Sequence, residues 1–206
     1  IENETKALNI RKKVLGYNHL DTANSYDNIG LYYSEIQNYQ SALNFCIKAL
    51  EIRKGLYGDG QCDTALSYDN IGHIHTKLGK FDQALQYQSK ALELYISLLG
   101  ENSIYTANSY DNVGFDYEKL GEHQKAIENK QKALDIFERI LGGHHQKVML
   151  SYSEIADYYR KIGRIRDALT AQKKLEVILN ETDAEFSSLE LCSRKLAVIY
   201  RTLQEY

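Results

Sequence analysis

The stretch Ser25-Tyr26-Asp27-Asn28-Ile29-Gly30 returns twice along the chain with almost no change. It recurs at residues 67–72 and 109–114, and a degraded copy, Ser-Tyr-Ser-Glu-Ile-Ala, occupies 151–156. Each copy begins 42 residues after the previous one. A fixed period in this range is typical of a repeat array, in which each unit packs on its neighbours and not around a central core. The rest of the chain is therefore expected to follow the same period.

Within each unit, apolar and small residues are spaced as on two consecutive amphipathic helices. In the first unit Tyr26, Ile29, Gly30 and Tyr33 share one helical face, which predicts a buried stripe. The glycine lets a neighbouring helix approach closely, despite a helix-propensity cost of up to about 1 kcal/mol. First helices are predicted at 22–36, 64–78, 106–120 and 148–162, and second helices at 39–57, 81–99, 123–141 and 165–180.

The connections between the predicted helices also repeat. Glycine closes each second helix, where it can adopt the left-handed conformation of a helix C-terminus: Gly16, Gly58, Gly100 and Gly142. Side-chain oxygens that can cap the following first helix are provided by Asp21 or Thr22, Asp63 or Thr64, and Thr106. The unit is therefore predicted to be a helix–turn–helix hairpin. The absence of proline suits such a chain of helices and short turns.

The period predicts one array that covers residues 1–206. Residues 1–16 align with the second helix of the later units, so we interpret the chain as a piece of a longer array that starts inside a repeat. Full repeats are expected at 20–58, 62–100, 104–142 and 146–182, followed by residues 185–206 as the first helix of a further repeat.

The composition is that of a folded protein without a strong charge bias. Apolar residues make up 43% of the chain and charged residues 26%, and the net charge is −3. No wholesale attraction to nucleic acid or to a membrane follows from this balance, and no apolar run is long enough to span a bilayer. The three cysteines are odd in number and lack paired spacing, which favours a reducing cytoplasm over a disulfide framework.

Small and aromatic residues at these positions resemble the tetratricopeptide repeat. The match in one unit runs through Tyr26, Ile29, Gly30, Tyr33, Tyr39, Ala42 and Ala49. The unit length of 42, in place of about 34, resembles the kinesin-light-chain type. Residues 19–23, His-Leu-Asp-Thr-Ala, resemble the His-Pro-Asp-x-Ala motif of that type, with leucine in place of proline. The resemblance implies an all-α fold, a right-handed superhelical solenoid of helix–turn–helix repeats whose first helices line a concave groove.

The residues of the repeated stretch that lie off the buried face are the candidate binding residues. One row consists of Asn28, Asn70 and Asn112, and the other of Asp27, Asp69 and Asp111. The resemblance implies that the Asn row is a ladder that holds an extended peptide. A carboxamide offers a donor and an acceptor, so it can pair with a peptide backbone whatever the side chains.

Charged residues extend this candidate groove. Lys77 and Lys119 are expected at its edge. In the fourth repeat Glu154 and Ser153 take the Asn and Asp positions, and its first helix presents basic residues such as Arg160 instead. A bound segment is then expected to place basic residues near the Asp row and acidic residues near Arg160. Two alternatives remain open for the rows: duplication can have left them unused, or they can form bonds to neighbouring units.

The favoured function is a non-catalytic scaffold that holds an extended peptide or a helix of a partner protein in the concave groove. The alternatives are a structural segment of a larger assembly, with self-association through the open array ends, or a regulatory sensor array attached to an enzyme outside this segment. No nucleophile elbow or phosphate-binding loop occurs, and His73 and His75 lack the i, i+4 spacing of a helical zinc pair, as do His144 and His145. We expect no enzyme activity, cofactor, metal, nucleic acid or membrane partner.

Overall fold

The computed structural model describes residues 1–182 and 186–204, and all regular structure within them is α-helical. The helices are α1 (Glu2–Val14), α2 (Leu20–Glu35), α3 (Tyr39–Tyr57), α4 (Cys62–Lys77), α5 (Phe81–Leu99), α6 (Ile104–Leu120), α7 (His123–Leu141), α8 (Gln146–Lys161), α9 (Ile165–Glu181) and α10 (Phe186–Gln204). The even-numbered helices are the first helices of the repeats, and the odd-numbered helices are the second helices. The all-α prediction is confirmed.

The second helices α3, α5 and α7 begin and end at the predicted residues. The first helices begin two residues earlier than predicted, because the capping residue lies further upstream. His19 Nδ1 accepts a hydrogen bond from the Asp21 amide at 3.1 Å, and Ser103 Oγ accepts one from the Thr106 amide at 3.1 Å. His145 caps α8 in the same way, and Gln61 precedes α4 without a side-chain cap. The predicted caps Asp21 or Thr22, Asp63 or Thr64, and Thr106 are therefore wrong.

The three threonines have a different structural role, which also repeats. Their hydroxyls donate hydrogen bonds to glycine carbonyls six residues earlier: Thr22 to Gly16 at 2.9 Å, Thr64 to Gly58 at 3.1 Å, and Thr106 to Gly100 at 2.9 Å. These glycines have φ values of 92°, 62° and 81°, a region that residues with a side chain rarely adopt. Each bond ties the end of a second helix to the first turn of the next first helix.

The predicted buried stripe joins the two helices of each repeat. Tyr26 and Ile29 of α2 are buried in a cluster that includes Ala49 and Ile52 of α3. Burial of each large side chain stabilises the fold by about 1.5–3 kcal/mol. Gly30 makes the close approach possible, because a Cβ atom there would lie only 2.5 Å from Cys46 Sγ and 3.2 Å from the carbonyl oxygen of Ala42.

The chain divides into two compact units, Ile1–Glu122 and His123–Tyr206. The first unit contains α1 to α6, and α2 packs on α3 as α4 packs on α5. The second unit contains α7 to α10, and α8 packs on both α7 and α9. Phe137 and Val148 are fully buried within this unit. The single array over residues 1–206 and the repeat boundaries given above stay predictions.

Candidate binding surface

We use the term first-helix surface for the solvent-facing side chains of α2, α4 and α6 in the first unit. Asn28, Lys77 and Lys119 are exposed on it. The partly buried members of the two predicted rows are Asn70, Asn112, Asp69 and Asp111. The two rows differ in accessibility at their first members, because Asn28 is exposed whereas Asp27 is buried.

Asp27 is buried, with 5% of its surface exposed, and it forms an ion pair with Arg53 of α3. The same guanidinium donates to Ser67 Oγ of α4, and its second nitrogen donates to Asn24 Oδ1 at 2.8 Å. One arginine therefore joins the first helix of one repeat to the first helix of the next. The cation and its hydrogen bonds offset the cost of removing the carboxylate from water. The expectation that Asp27 lies off the buried face is therefore wrong.

The equivalent contact one repeat later lacks the arginine. Tyr95 of α5 stands 42 residues after Arg53 and is also buried. The Ser109 hydroxyl, which is equivalent to that of Ser67, is buried and has no hydrogen-bond partner among the described residues. Asp69 is left without an ion pair in the same part of the chain, and burial raises the pKa of its carboxyl.

A hydrogen bond from Asn112 offsets part of the cost of burying the Asp69 carboxylate without an ion pair. The side-chain nitrogen of Asn112 donates to Asp69 Oδ1 at 3.2 Å, from one first helix to the preceding one. In the second unit the residue at the same repeat position, Lys195, donates to Ser153 Oγ at 2.9 Å and to Asp157 Oδ2 at 2.6 Å. This position therefore links neighbouring repeats. The alternative that the rows form bonds between units applies to Asn112.

Asn28 and Asn70 differ from Asn112. Within residues 1–182 and 186–204, neither side chain has a hydrogen-bond partner, although both lie on first helices with at least partial exposure to solvent. A carboxamide carries two donor hydrogens and an acceptor oxygen. Both amides are therefore open to hydrogen bonds with another molecule.

Apolar and cationic side chains flank these amides on the first-helix surface. Leu31, Leu66 and Phe115 are exposed there, one on each of the three helices. The Lys119 ammonium lies 4.6 Å from the centre of the Phe115 ring, a cation–π contact. Burial and the nearby Lys77 lower the pKa of the His73 imidazole. The surface thus combines amide, apolar and lysine groups.

Arg160 lies on α8 in the second unit and is exposed. Its Nη2 atom is 3.4 Å from Asp157 Oδ1, one turn earlier on the same helix. Exposed pairs of this kind contribute about 0–1 kcal/mol to stability, so the guanidinium is available to other partners at little cost.

A buried polar cluster in the first unit was not predicted from the sequence. Asp116 of α6 is completely buried and accepts a hydrogen bond from Thr76 Oγ1 of α4 at 2.8 Å. The amide nitrogen of Gln88 of α5, in the orientation that satisfies the network, donates to Asp116 Oδ2 at 2.9 Å. Burial raises the pKa of Asp116 to about 6. The available signal was a break in the repeat, because Ile74 and Tyr158 occupy the equivalent positions.

His75, His144 and His145 each contact other groups of the fold. His75 is buried and stacks on Tyr87 with ring centres 5.4 Å apart. His145 caps α8, and His144 Nε2 lies 3.9 Å from the Glu181 carboxylate. Among the described residues, three or more histidine, cysteine or acidic side chains nowhere converge in a way that could hold a metal ion. In the same ranges no helix combines the length and the apolar character needed to cross a membrane.

Solved structures with the same fold are similar over most of the chain. BtubC (BKLC) from P. vanneervenii is 15% identical, with a TM-score of 0.81 over 98% of this chain and 82% of the other. A kinesin light chain-like protein of Podosopora anserina, with nearly identical TPR-like repeats, is 17% identical, with a TM-score of 0.80 over 91% and 89%. The apo form of RapI is 21% identical, with a TM-score of 0.69 over 80% and 44%. At these identities the likeness shows the fold alone.

Sequence profiles give the family. No curated protein matches this chain significantly. The profile of the tetratricopeptide repeat matches residues 5–55, 61–131 and 105–176, which is most of the chain. These ranges include every copy of the repeated stretch and the connecting glycines Gly16, Gly100 and Gly142. With its period of 42 residues and its kinesin-light-chain-like helical hairpins, the chain belongs to the tetratricopeptide repeat family.

Proposed function

We propose that this chain is a non-catalytic scaffold that holds an extended segment of a partner protein on the first-helix surface of its first unit. Tetratricopeptide repeats typically mediate protein interactions, and the repeated hairpin arranges equivalent side chains of successive first helices in rows. The proposed contact residues are Asn28 and Asn70, supported by Lys77, Lys119 and the partly buried Asp111.

One observation carries the proposal: Asn28 and Asn70 lack hydrogen-bond partners within the described residues. Two residues before each amide, a buried tyrosine, Tyr26 or Tyr68, fixes the orientation of the helix and hence the position of the amide. An amide held in this way can donate to a backbone carbonyl and accept from a backbone N–H. Each such bond contributes about 0.5–1.5 kcal/mol, so the amides act together with other contacts.

The surroundings of the two amides define the chemistry of the partner segment. Leu31 lies three residues after Asn28 on α2, Leu66 lies four residues before Asn70 on α4, and both are exposed apolar side chains, as is Phe115 on α6. Lys77 and Lys119 are exposed cations, whereas the charge of Asp27 is compensated by Arg53. We therefore infer a segment with apolar side chains and an acidic residue near the two lysines. This replaces the expectation of basic residues along the whole Asp row. A role for Arg160 as a further contact for acidic residues stays part of the proposal.

The cysteines support a reducing, cytoplasmic location for this scaffold. Cys46 and Cys192 are buried, Cys62 is exposed, and all three are free thiols. Burial raises the pKa of Cys46 to about 12, which keeps its thiol protonated and unreactive at neutral pH.

Peptide selection tests the proposal without a known partner. Random 12-residue peptides displayed on phage are selected on the wild-type chain, and the affinities of the enriched peptides are measured by fluorescence anisotropy. We expect the double variant Asn28→Ala/Asn70→Ala to bind the selected peptides about 5–150-fold more weakly, from the loss of hydrogen bonds worth about 1–3 kcal/mol in total. Urea unfolding should show the same stability as the wild type, because neither amide has an intramolecular bond.

Two other asparagines provide controls. Asn44→Ala alters an exposed amide on the second helix α3 and should leave both affinity and stability unchanged. Asn112→Ala removes the bond to Asp69 and should lower the free energy of unfolding by about 1 kcal/mol. Peptides that bind the double variant with wild-type affinity would show that the two amides do not form the site.

A further inference from the structure

One polar site of the first unit lacks the cation that the equivalent site one repeat earlier contains. In the earlier site the guanidinium of Arg53 donates hydrogen bonds to the Asp27 carboxylate and to the Ser67 hydroxyl. The equivalent residues stand 42 positions later: Tyr95, Asp69 and Ser109. Both sites thus have the carboxylate and the hydroxyl, but a tyrosine takes the place of the arginine in the later one.

The polar atoms of the later site have unused hydrogen-bonding capacity. Asn112 donates to Asp69 Oδ1 at 3.2 Å, but within residues 1–182 and 186–204 no donor reaches Asp69 Oδ2. Ser109 is 1% exposed, and its hydroxyl has no partner in the same ranges. Because polar groups that are removed from water cost free energy when they lack a partner, the site favours a donor that it does not itself contain.

The later site is also negatively charged. Asp69 and Asp63, which lies at the start of α4, form no ion pair with any of the described residues. Burial raises the pKa of the Tyr95 phenol, and the Asp69 and Asp63 carboxylates raise it further, so both charges lie near this ring. The donor that suits the site is therefore a cation.

The later site can be reached from the first-helix surface. In the earlier site the second nitrogen of the Arg53 guanidinium donates to Asn24 Oδ1 at 2.8 Å, and the residue equivalent to Asn24 is Leu66. Leu66 is 40% exposed and lies one turn before Asp69, which is itself partly exposed. A side chain of another molecule can therefore pass along Leu66 and meet the Asp69 carboxylate.

We propose that Asp69 binds the guanidinium of an arginine side chain in the partner segment held on the first-helix surface. The contact rests on the proposed function and adds a residue that determines the specificity of that surface. It assigns the basic residue of the segment to Asp69, whereas Arg53 already compensates Asp27. Arginine fits better than lysine, because its planar fork offers several donors and is less strongly hydrated than an ammonium. The exposed Leu66 provides an apolar surface for the methylene groups of that arginine.

Parallel selections test this contact. Random 12-residue peptides displayed on phage are selected on the wild type, on Asp69→Asn and on Asp82→Asn. Asp69→Asn removes the charge but keeps an oxygen that can accept from Asn112. Asp82→Asn is the matched control, because Asp82 is an exposed carboxylate on the second helix α5. We expect arginine to be enriched at one peptide position on the wild type and on the control, but not on Asp69→Asn. Circular dichroism and urea unfolding verify that the three chains are equally folded.

A citrulline substitution in a selected peptide measures the contact directly. Citrulline has the shape of arginine without its charge, so the substitution should weaken binding to the wild type by about 10–150-fold, the range expected for hydrogen bonds to a charged group. The same substitution should leave the affinity for Asp69→Asn unchanged. Fluorescence anisotropy provides the four affinities.

The results distinguish a failure of this contact from a failure of the proposed function. A wild type that selects no binding peptide contradicts both. Peptides whose binding depends on Asn28 and Asn70 but which show no arginine enrichment support the proposed function and overturn the contact with Asp69. Equal effects of citrulline on the wild type and on Asp69→Asn also overturn it, because the arginine would then bind elsewhere.

Discussion

Asp27 and Asp69 occupy the same repeat position, but the contacts around the two carboxylates are built differently. In the first, a buried arginine compensates the carboxylate and donates to the serine. In the second, a tyrosine replaces the arginine, an amide from the next first helix bonds to the carboxylate, and Ser109 is buried without a partner among the described residues. The helices nevertheless pack in the same order. The apolar stripe therefore sets the fold, and the polar contacts adjust its stability.

The two contacts should respond differently to a loss of charge. Arg53→Met leaves the Asp27 carboxylate buried without a cation, and we expect the free energy of unfolding to fall by about 3–5 kcal/mol in urea titrations. Arg11→Met is the matched control, since Arg11 also bonds to a serine, Ser25, but is partly exposed. Its loss should cost about 1 kcal/mol or less.

A double variant separates the ion pair from packing. Asp27→Asn combined with Arg53→Met removes both charges and should recover a large part of the stability that Arg53→Met loses. If the double variant is as unstable as Arg53→Met alone, the arginine acts through its packing and not through the carboxylate.

The second contact lies next to a carboxylate that makes stability depend on pH. The pKa of Asp116 is raised by burial to about 6 from 3.8, so the folded chain favours its protonated form. The stabilising contribution is complete below pH 3.8 and is lost as pH rises through about 6. The loss amounts to about 3 kcal/mol for a shift of this size.

Asp116→Asn should therefore be more stable than the wild type at pH 7.5 and lose this advantage at acidic pH. Urea unfolding at several pH values from about 4 to 7.5 measures the difference between the two chains. Burial lowers the pKa values of His73 and His75 in both chains. Their contributions therefore cancel in the difference, which reports on Asp116. A constant difference across this range would contradict the buried, titrating carboxyl.

The smallest effect on stability is expected when an arginine equivalent to Arg53 is introduced near Asp69. Tyr95→Arg provides a cation for Asp69 and a donor for Ser109, but it removes the stacking of Tyr95 on Tyr105, with ring centres 5.5 Å apart. Stacking contributes about 0.5–1.5 kcal/mol, so we expect a net stability change within about 1 kcal/mol. The pKa of Asp69 should fall, as measured by NMR titration of its carboxyl carbon. Tyr95→Met is the uncharged reference, and an equal Asp69 pKa in both variants would show that the arginine does not reach the carboxylate.

The repeated stretch shows how far local pattern carries a prediction. The positions of Tyr26, Ile29 and Gly30 on one face follow from helical spacing, and the structure buries them as expected. The same spacing predicted that Asp27 lies off the buried face, but only 5% of its surface is exposed in the structure. One signal in the sequence was available: Arg53 stands at a position that is Tyr95, Phe137 and Leu179 in the later repeats. A charged residue at a position that is aromatic or apolar in the three later repeats indicates a buried partner.

The sequence by itself determined the period of 42 residues, the order of the helices, the extent of the second helices α3, α5 and α7, and the burial of Tyr26 and Ile29. These follow from side-chain spacing within single helices and from the repetition of that spacing. Only the tertiary structure decided which polar residues of the stretch are accessible. Whether Asp27 or Asn28 meets water depends on Arg53 and on the next repeat, which lie 26 or more residues away in the chain. The repeated stretch specifies its own helical face, and its neighbours decide whether the remaining faces are covered.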